Sequence, residues 1–142
     1  MKTSLIAPCG MNCSLCMAYL REKNRCEGCR SGSTRKPYHC LICSIPKCNT
    51  FKNSKAKYCF KCDTFPCTRL KQLDKRYRTK YGMNMIANLR EIKEKGIRRF
   101  VKSERERWKC PECGEMLCVH RKNCQMCGFE RIFDSVERYS TN

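Results

Sequence analysis

The sequence predicts a small α+β metal-stabilised protein, in which zinc knuckles and a zinc ribbon are joined by a few short helices. Three observations carry that expectation. Sixteen of the 142 residues are cysteine, so a large part of the 41% counted as hydrophobic is thiol rather than aliphatic or aromatic side chain. With a net charge of +18, so thin an apolar complement reads as disordered unless something besides apolar burial holds the chain. Small chains of this kind are held by disulfides or by structural metal. The third observation is a cysteine-free stretch in the middle whose apolar residues recur at helical spacing.

Spacing and compartment separate metal from disulfide. The first residues, Met1-Lys2-Thr3-Ser4-Leu5-Ile6-Ala7-Pro8-Cys9, hold no apolar stretch of signal-peptide length, and no run is long enough to span a membrane, so a cytoplasmic protein is expected. In a reducing compartment, paired cysteines are read as metal ligands before they are read as bridges. Six C-x-x-C pairs occur: Cys13/Cys16, Cys26/Cys29, Cys40/Cys43, Cys59/Cys62, Cys110/Cys113 and Cys124/Cys127. That spacing lets two thiolates chelate one tetrahedral zinc ion.

Charge and cysteine content divide the chain into an N-terminal multi-cysteine region (1–67), a basic helical segment (68–109) and a C-terminal ribbon-like hairpin (110–142), expected to form one compact unit. In the first section Ser14 to Lys23 suits a short helix with Leu15, Ala18 and Tyr19 inward, and residues 30–37 read as a loop. In the middle, Pro66 suits a first helical position, and Leu70, Leu73 and Tyr77 form a stripe on a helix near 66–79. Asn84 can cap a second helix, in which Met85, Ile86, Leu89 and Ile92 share a face and Gly96 is the stop. Ile97, Phe100 and Val101 begin a short third helix toward Trp108.

The most specific metal signal is Cys110-Pro-Glu-Cys113 and Cys124-Gln-Met-Cys127, separated by ten residues and followed by Gly114 and Gly128. A glycine after each pair permits the tight turn that aims backbone amides at sulfur. Cys118 and His120 lie in the same hairpin, with His120 placed outside the ligand shell. Cys40/Cys43 with Cys59/Cys62 and Cys13/Cys16 with Cys26/Cys29 are further pairings at usable spacing, although the sequence does not choose between adjacent and cross-braced sites. Cys9, Cys48, Cys67 and Cys118 are additional candidate ligands, and the pattern C-x-x-C-x-x-x-x-C recurs at Cys40/Cys43/Cys48, Cys59/Cys62/Cys67 and Cys110/Cys113/Cys118. The eleven N-terminal cysteines and His39 suffice for three four-coordinate sites, so three or four zinc ions are expected in all. Cys9, Cys13 and Cys16, at C-x3-C-x2-C spacing, offer an alternative iron–sulfur site.

The run Ala7-Pro8-Cys9-Gly10-Met11-Asn12-Cys13-Ser14-Leu15-Cys16-Met17-Ala18-Tyr19, the pair Cys26-Glu27-Gly28-Cys29 and the run Cys59-Phe60-Lys61-Cys62-Asp63-Thr64-Phe65-Pro66-Cys67 resemble a widespread family of small cysteine-rich bacterial and archaeal proteins of unknown function. Asn88-Leu89, Arg107-Trp108 and Cys118-Val119-His120-Arg121 extend the resemblance. It implies a small metal-binding protein, with zinc as the metal and Cys9, Cys13, Cys16, Cys26, Cys29, Cys59, Cys62 and Cys67 among the ligands. It implies no reaction.

Function is less constrained. Lys and Arg exceed Asp and Glu by nine in residues 1–67 and by ten in 68–109, whereas 110–142 is nearly neutral. Arg69, Lys71, Lys75, Arg76, Arg78 and Lys80 crowd one predicted helix with Tyr77 and Tyr81 between them, which suits contact with nucleic acid or another polyanion. An acidic protein partner is the alternative, as is a thiolate-based redox protein. With two histidines and no recognisable carboxylate motif, acid–base catalysis is not indicated.

Overall fold

The computed structural model describes residues 1–133. Six α-helices follow in order: α1 (Met17–Leu20), α2 (Tyr38–Leu41), α3 (Asn49–Lys52), α4 (Thr68–Tyr81), α5 (Met85–Lys95) and α6 (Ile97–Arg107). Single 3₁₀ turns form at Thr3–Leu5, Cys13–Leu15 and Cys59–Lys61. Among the described residues pairing of extended backbone is limited to three isolated antiparallel bridges, Ile6 with Asn12, Lys109 with Met116 and Asn123 with Glu130. The architecture is therefore helices and turns with almost no strand, where the sequence suggested an α+β arrangement. The tail at 134–142 of the expected C-terminal hairpin lies outside the described residues.

The middle of the chain forms the three helices its periodicity predicts. α4 starts two residues later than expected: the Phe65–Pro66 peptide is cis, and Cys67 caps the helix, its sulfur accepting from the Leu70 amide at 3.5 Å. Pro66 thus precedes the helix rather than opening it. Gly82, at φ +70°, ends α4 in the left-handed conformation, and the amides of Gly82 and Met83 return to the carbonyls of Arg78 and Tyr77. A second residue in this region, Asn84, caps α5 through its Oδ1, which accepts from the Ala87 amide at 2.9 Å. Gly96 ends α5 and starts α6. The helix foreseen over Ser14 to Lys23 is only the 3₁₀ turn Cys13–Leu15 and the single turn of α1.

α5 lies between α4 and α6 and buries the most. Met85, Ile86, Leu89 and Ile92 are all at least 95% buried, as are Leu70 on α4 and Phe100 and Val101 on α6. Each such side chain removed from water contributes about 1.5–3 kcal/mol before the entropy of ordering is subtracted. The N-terminal turn seats against the same helix. Gly10 sits at φ +89° with its Cα so close to α5 that a Cβ there would lie 2.6 Å from the Met85 carbonyl oxygen, and the Asn88 side chain donates to the Gly10 carbonyl at 2.9 Å. Glycine is required on both counts.

Two buried carboxylates join the helices. Asp74 of α4 accepts from the Ile86 amide at 3.1 Å, so it satisfies a free donor at the start of α5, and Arg78 lies 3.5 Å from its other oxygen. Glu104 of α6 is fully buried; it accepts from Asn12 at 3.4 Å and pairs with Arg107, which also reaches Glu91 at 3.1 Å. Burial raises both carboxyls above the ordinary range, against the opposing pull of the Ile86 amide on Asp74 and of Arg107 on Glu104.

Candidate metal centre

Residues 109–131 hold two turns with the same backbone pattern. In the first, the Cys110 amide donates to the Glu115 carbonyl at 2.7 Å and the Gly114 amide to Cys110 at 2.9 Å; in the second, Cys124 donates to Phe129 at 2.7 Å and Gly128 to Cys124 at 2.9 Å. Gly114 and Gly128 have φ of +81° and +80°, which explains why each pair is followed by glycine. The turns face each other, so that Cys110 and Cys127 sulfurs are 3.6 Å apart and those of Cys113 and Cys124 also 3.6 Å.

All four sulfurs of Cys110, Cys113, Cys124 and Cys127 lie within 4.8 Å of one another, and this quartet could hold a metal ion. Four ligands around 2.3 Å from a tetrahedral ion stand a little under about 4 Å apart, so the spacing fits without rearrangement. Backbone amides are already turned to the sulfurs. Cys127 and Met126 amides bring the Cys124 thiol down to about 7, and Glu115 and Phe129 amides reach Cys113 and Cys127. A donor set of four sulfurs with amide hydrogen bonds suits zinc and iron alike.

The turns are fastened to the helices by residues that sequence reading passed over. Arg131, half-buried, donates to the carbonyls of Val119 at 2.9 Å, Arg121 at 3.1 Å and Tyr81 at 3.3 Å, and its guanidinium lies 4.9 Å from the Trp108 ring centre. The Val119 amide donates to the Leu15 carbonyl at 2.8 Å, joining the C-terminal turns to the N-terminal region. His120 stands outside the quartet: its Nδ1 accepts from the Met17 amide at 3.2 Å, and the ring packs edge-on to Tyr77 and Tyr81. Cys118 is buried and within electrostatic reach of Cys16 rather than grouped with the quartet.

The eleven N-terminal cysteines are drawn together more loosely. Cys13 lies near Cys29, Cys16 and Cys26, whereas Cys40 faces Cys16, Cys26, Cys29 and Cys43. Cys9 is near Cys13, Cys29 and Cys59. Cys59 and Cys62 share a cavity with Cys48 and Cys67, not with the Cys40/Cys43 pair. Burial pushes the free thiols of Cys13 and Cys59 up to about 12 and that of Cys40 to about 11, so a metal must displace protons to bind them. His39 is exposed on α2.

Of the basic residues on α4, Arg69, Lys71, Lys75, Arg76 and Lys80 are exposed, while Arg78 is half-buried against Asp74. At 100° per residue, 69, 76 and 80 fall on one flank of the helix and 71, 75 and 78 on the other, with the buried stripe between. No described helix is long and apolar enough to cross a membrane.

The segment from the first 3₁₀ turn through the start of α4 carries the Cys9/Cys13/Cys16 turn seated on α5, the Cys26/Cys29 pair and the Cys59 to Cys67 run. Residues 5–72 match the model of a family described as a protein of unknown function, DUF3795. The DUF3795 match covers just under half of the chain and ends inside α4, so the C-terminal quartet lies beyond it. No curated protein and no solved structure matches the chain.

Proposed function

We propose that this protein is a zinc-scaffolded binding module whose basic helical surface engages nucleic acid. The zinc ribbon reading of residues 110–131, with Cys110, Cys113, Cys124 and Cys127 as ligands, provides the scaffold in this reading. Four thiolates fill a tetrahedral ion and leave no open position, which is the coordination of structural rather than catalytic zinc.

The observation that carries the binding half is the exposure of Lys71, Lys75, Arg76 and Lys80 on α4, none of which forms an ion pair with a carboxylate among the described residues. A second cavity, of about 390 Å³, extends that surface at the end of α4, where Lys80, Tyr81, His120 and Arg121 meet and Lys122 is paired with Glu130 at 2.9 Å. Cations beside aromatic faces suit phosphates and unstacked bases. Contacts of this type bind by counterion release and carry little sequence preference.

The test is titration of labelled single- and double-stranded DNA and RNA at several salt concentrations. Lys75, Arg76 and Lys80 changed together to glutamine should flatten the log–log salt dependence by up to about 3 on a duplex, each phosphate contact giving a little under one. Arg78 is left in place because its guanidinium is held against Asp74. Absence of binding by the wild-type chain at low salt would refute the nucleic-acid reading and favour an acidic protein partner.

A further inference from the structure

Four cysteines outside the C-terminal quartet converge on one space. Cys48 immediately precedes α3, Cys59 and Cys62 bracket a 3₁₀ turn, and Cys67 caps α4. All four line a cavity of about 390 Å³, whose walls are otherwise formed largely by Phe51, Phe65 and Leu70. Cys59 is within electrostatic reach of Cys67, Cys48 and Cys62, and of Cys43, which does not line the cavity.

The separation of these sulfurs distinguishes this site from the quartet. A single tetrahedral ion needs its four sulfurs a little under about 4 Å apart. Among the described residues only Cys110, Cys113, Cys124 and Cys127 bring three or more such ligand atoms within 4.8 Å of one another. The thiols around the cavity thus stand too far apart for one ion, yet they face a common space. A cofactor that brings its own atoms to fill the gap between four thiolates is an iron–sulfur cluster.

The surroundings suit that group. The Leu70 amide, in the first turn of the fourteen-residue α4, donates to the Cys67 sulfur at 3.5 Å. Thr64 Oγ1 is 3.1 Å from the Cys62 sulfur; Thr50 Oγ1 is 3.8 Å from that of Cys48 and also hydrogen-bonds Cys62. Donors to sulfur are among the features that set cluster potentials. Lys47 and Arg69 line the same cavity and offset the negative charge of a four-thiolate cluster.

We infer that Cys48, Cys59, Cys62 and Cys67 ligate an iron–sulfur cluster in this cavity, distinct from the single-ion quartet and from the Cys9/Cys13/Cys16 site considered on spacing. The inference stands apart from nucleic-acid binding, since neither the cations of α4 nor the quartet enters it except Arg69 at the cavity wall.

The full-length chain, purified without oxygen, is incubated with ferrous iron and sulfide under thiol reductant, desalted, and assayed for iron, acid-labile sulfide and visible charge-transfer absorption. A parallel sample receives zinc alone. Iron and sulfide should be retained in near-equal amounts with visible colour, and Cys48→Ser with Cys62→Ser should abolish both. Cys113→Ser with Cys127→Ser, and Cys13→Ser with Cys16→Ser, should each leave the colour intact. A wild-type chain that keeps zinc but no sulfide overturns the inference, as does colour that survives the Cys48/Cys62 change or disappears with Cys13/Cys16. Should the Cys48/Cys62 variant lose its circular dichroism, Thr50→Val with Thr64→Val decides: with every ligand kept, the cluster's reduction potential should move negative as hydrogen bonds to sulfur are lost. An unchanged potential in that variant overturns the assignment.

Discussion

Glu104 shows how a buried charge on a helix links stability to pH. Its carboxyl is raised by burial, with Arg107 and Asn12 opposing, so the folded chain keeps a proton that the unfolded chain has already lost. Stability is then full below the ordinary glutamate value of about 4.3 and declines as pH rises through the raised folded value. Glu104→Gln, which keeps an acceptor for Asn12, should flatten that decline; thermal midpoints measured from pH 4 upward in the two proteins test it, and parallel curves would refute it. Asp74 acts in a different way, since its Oδ1 accepts from the Ile86 amide. Asp74→Ala should cost about 1–3 kcal/mol by leaving that buried donor unpaired, and Asp74→Asn distinctly less. Denaturant midpoints of the two variants measure the difference. Neither carboxylate was singled out by the sequence. Burial of an acid depends on what the next helix brings against it, which no local pattern records.

At the scale of elements, legibility follows locality. α4, α5 and α6 were readable because a 3.6-residue apolar period runs through each, and α5 is also bounded by a capping Asn84 and a stop at Gly96. The Cys110/Cys113 and Cys124/Cys127 turns were readable for the same reason, since each is closed by its own backbone bonds and its own glycine. The sharing of one cavity by Cys48, Cys59, Cys62 and Cys67 was not readable, because α3 and the start of α4 set it, whereas C-x-x-C spacing paired Cys59/Cys62 with Cys40/Cys43, of which Cys43 also lies within electrostatic reach of Cys59. The recurrence of a cysteine five places after a pair, at Cys48 and at Cys67, was the available signal. For the quartet, Cys110→Ser or Cys124→Ser should remove one metal equivalent, measured by elemental analysis, and loosen the paired turns. His120→Ala should leave metal content unchanged, because the ring is engaged with the Met17 amide and two tyrosines. Loss of an equivalent in that variant would bring His120 into the ligand set. In α5, Leu89→Ala should cost about 2–5 kcal/mol, since Leu89 is fully buried between α4 and the Gly10 turn.

The whole molecule rests on two kinds of cohesion. α4 and α5 share an apolar core with Leu15 and Trp108, in which Cys9, Cys110 and Cys124 are also buried, while Ile6, Ile92, Phe100 and Val101 form a second cluster under α6. Thiols are thus part of the core as well as candidate ligands, and removing metal would leave protonated sulfur and unbalanced turns at its edge. Treatment with a strong chelator under reducing conditions should therefore abolish cooperative melting. A chain that kept its circular dichroism and its sharp transition would show that the apolar core suffices alone. The fold class was partly legible at this scale: cysteine content and spacing pointed to a cluster that could hold a metal, but among the described residues the strands expected of an α+β protein reduce to three isolated bridges, because the knuckle turns spend their backbone groups on their own loops.

The facing turns at Cys110/Cys113 and Cys124/Cys127 also change what it means to cut the chain. Arg121 and Lys122 are exposed on the stretch between them, open to trypsin. With an ion shared by the four sulfurs, cleavage there would sever the polypeptide without separating its pieces, because each fragment would still own half of the coordination sphere. If the quartet holds an ion, the nicked protein should elute as one species on gel filtration and come apart when the ion is stripped; the covalent thread at this point would then be redundant, with the metal as the rivet.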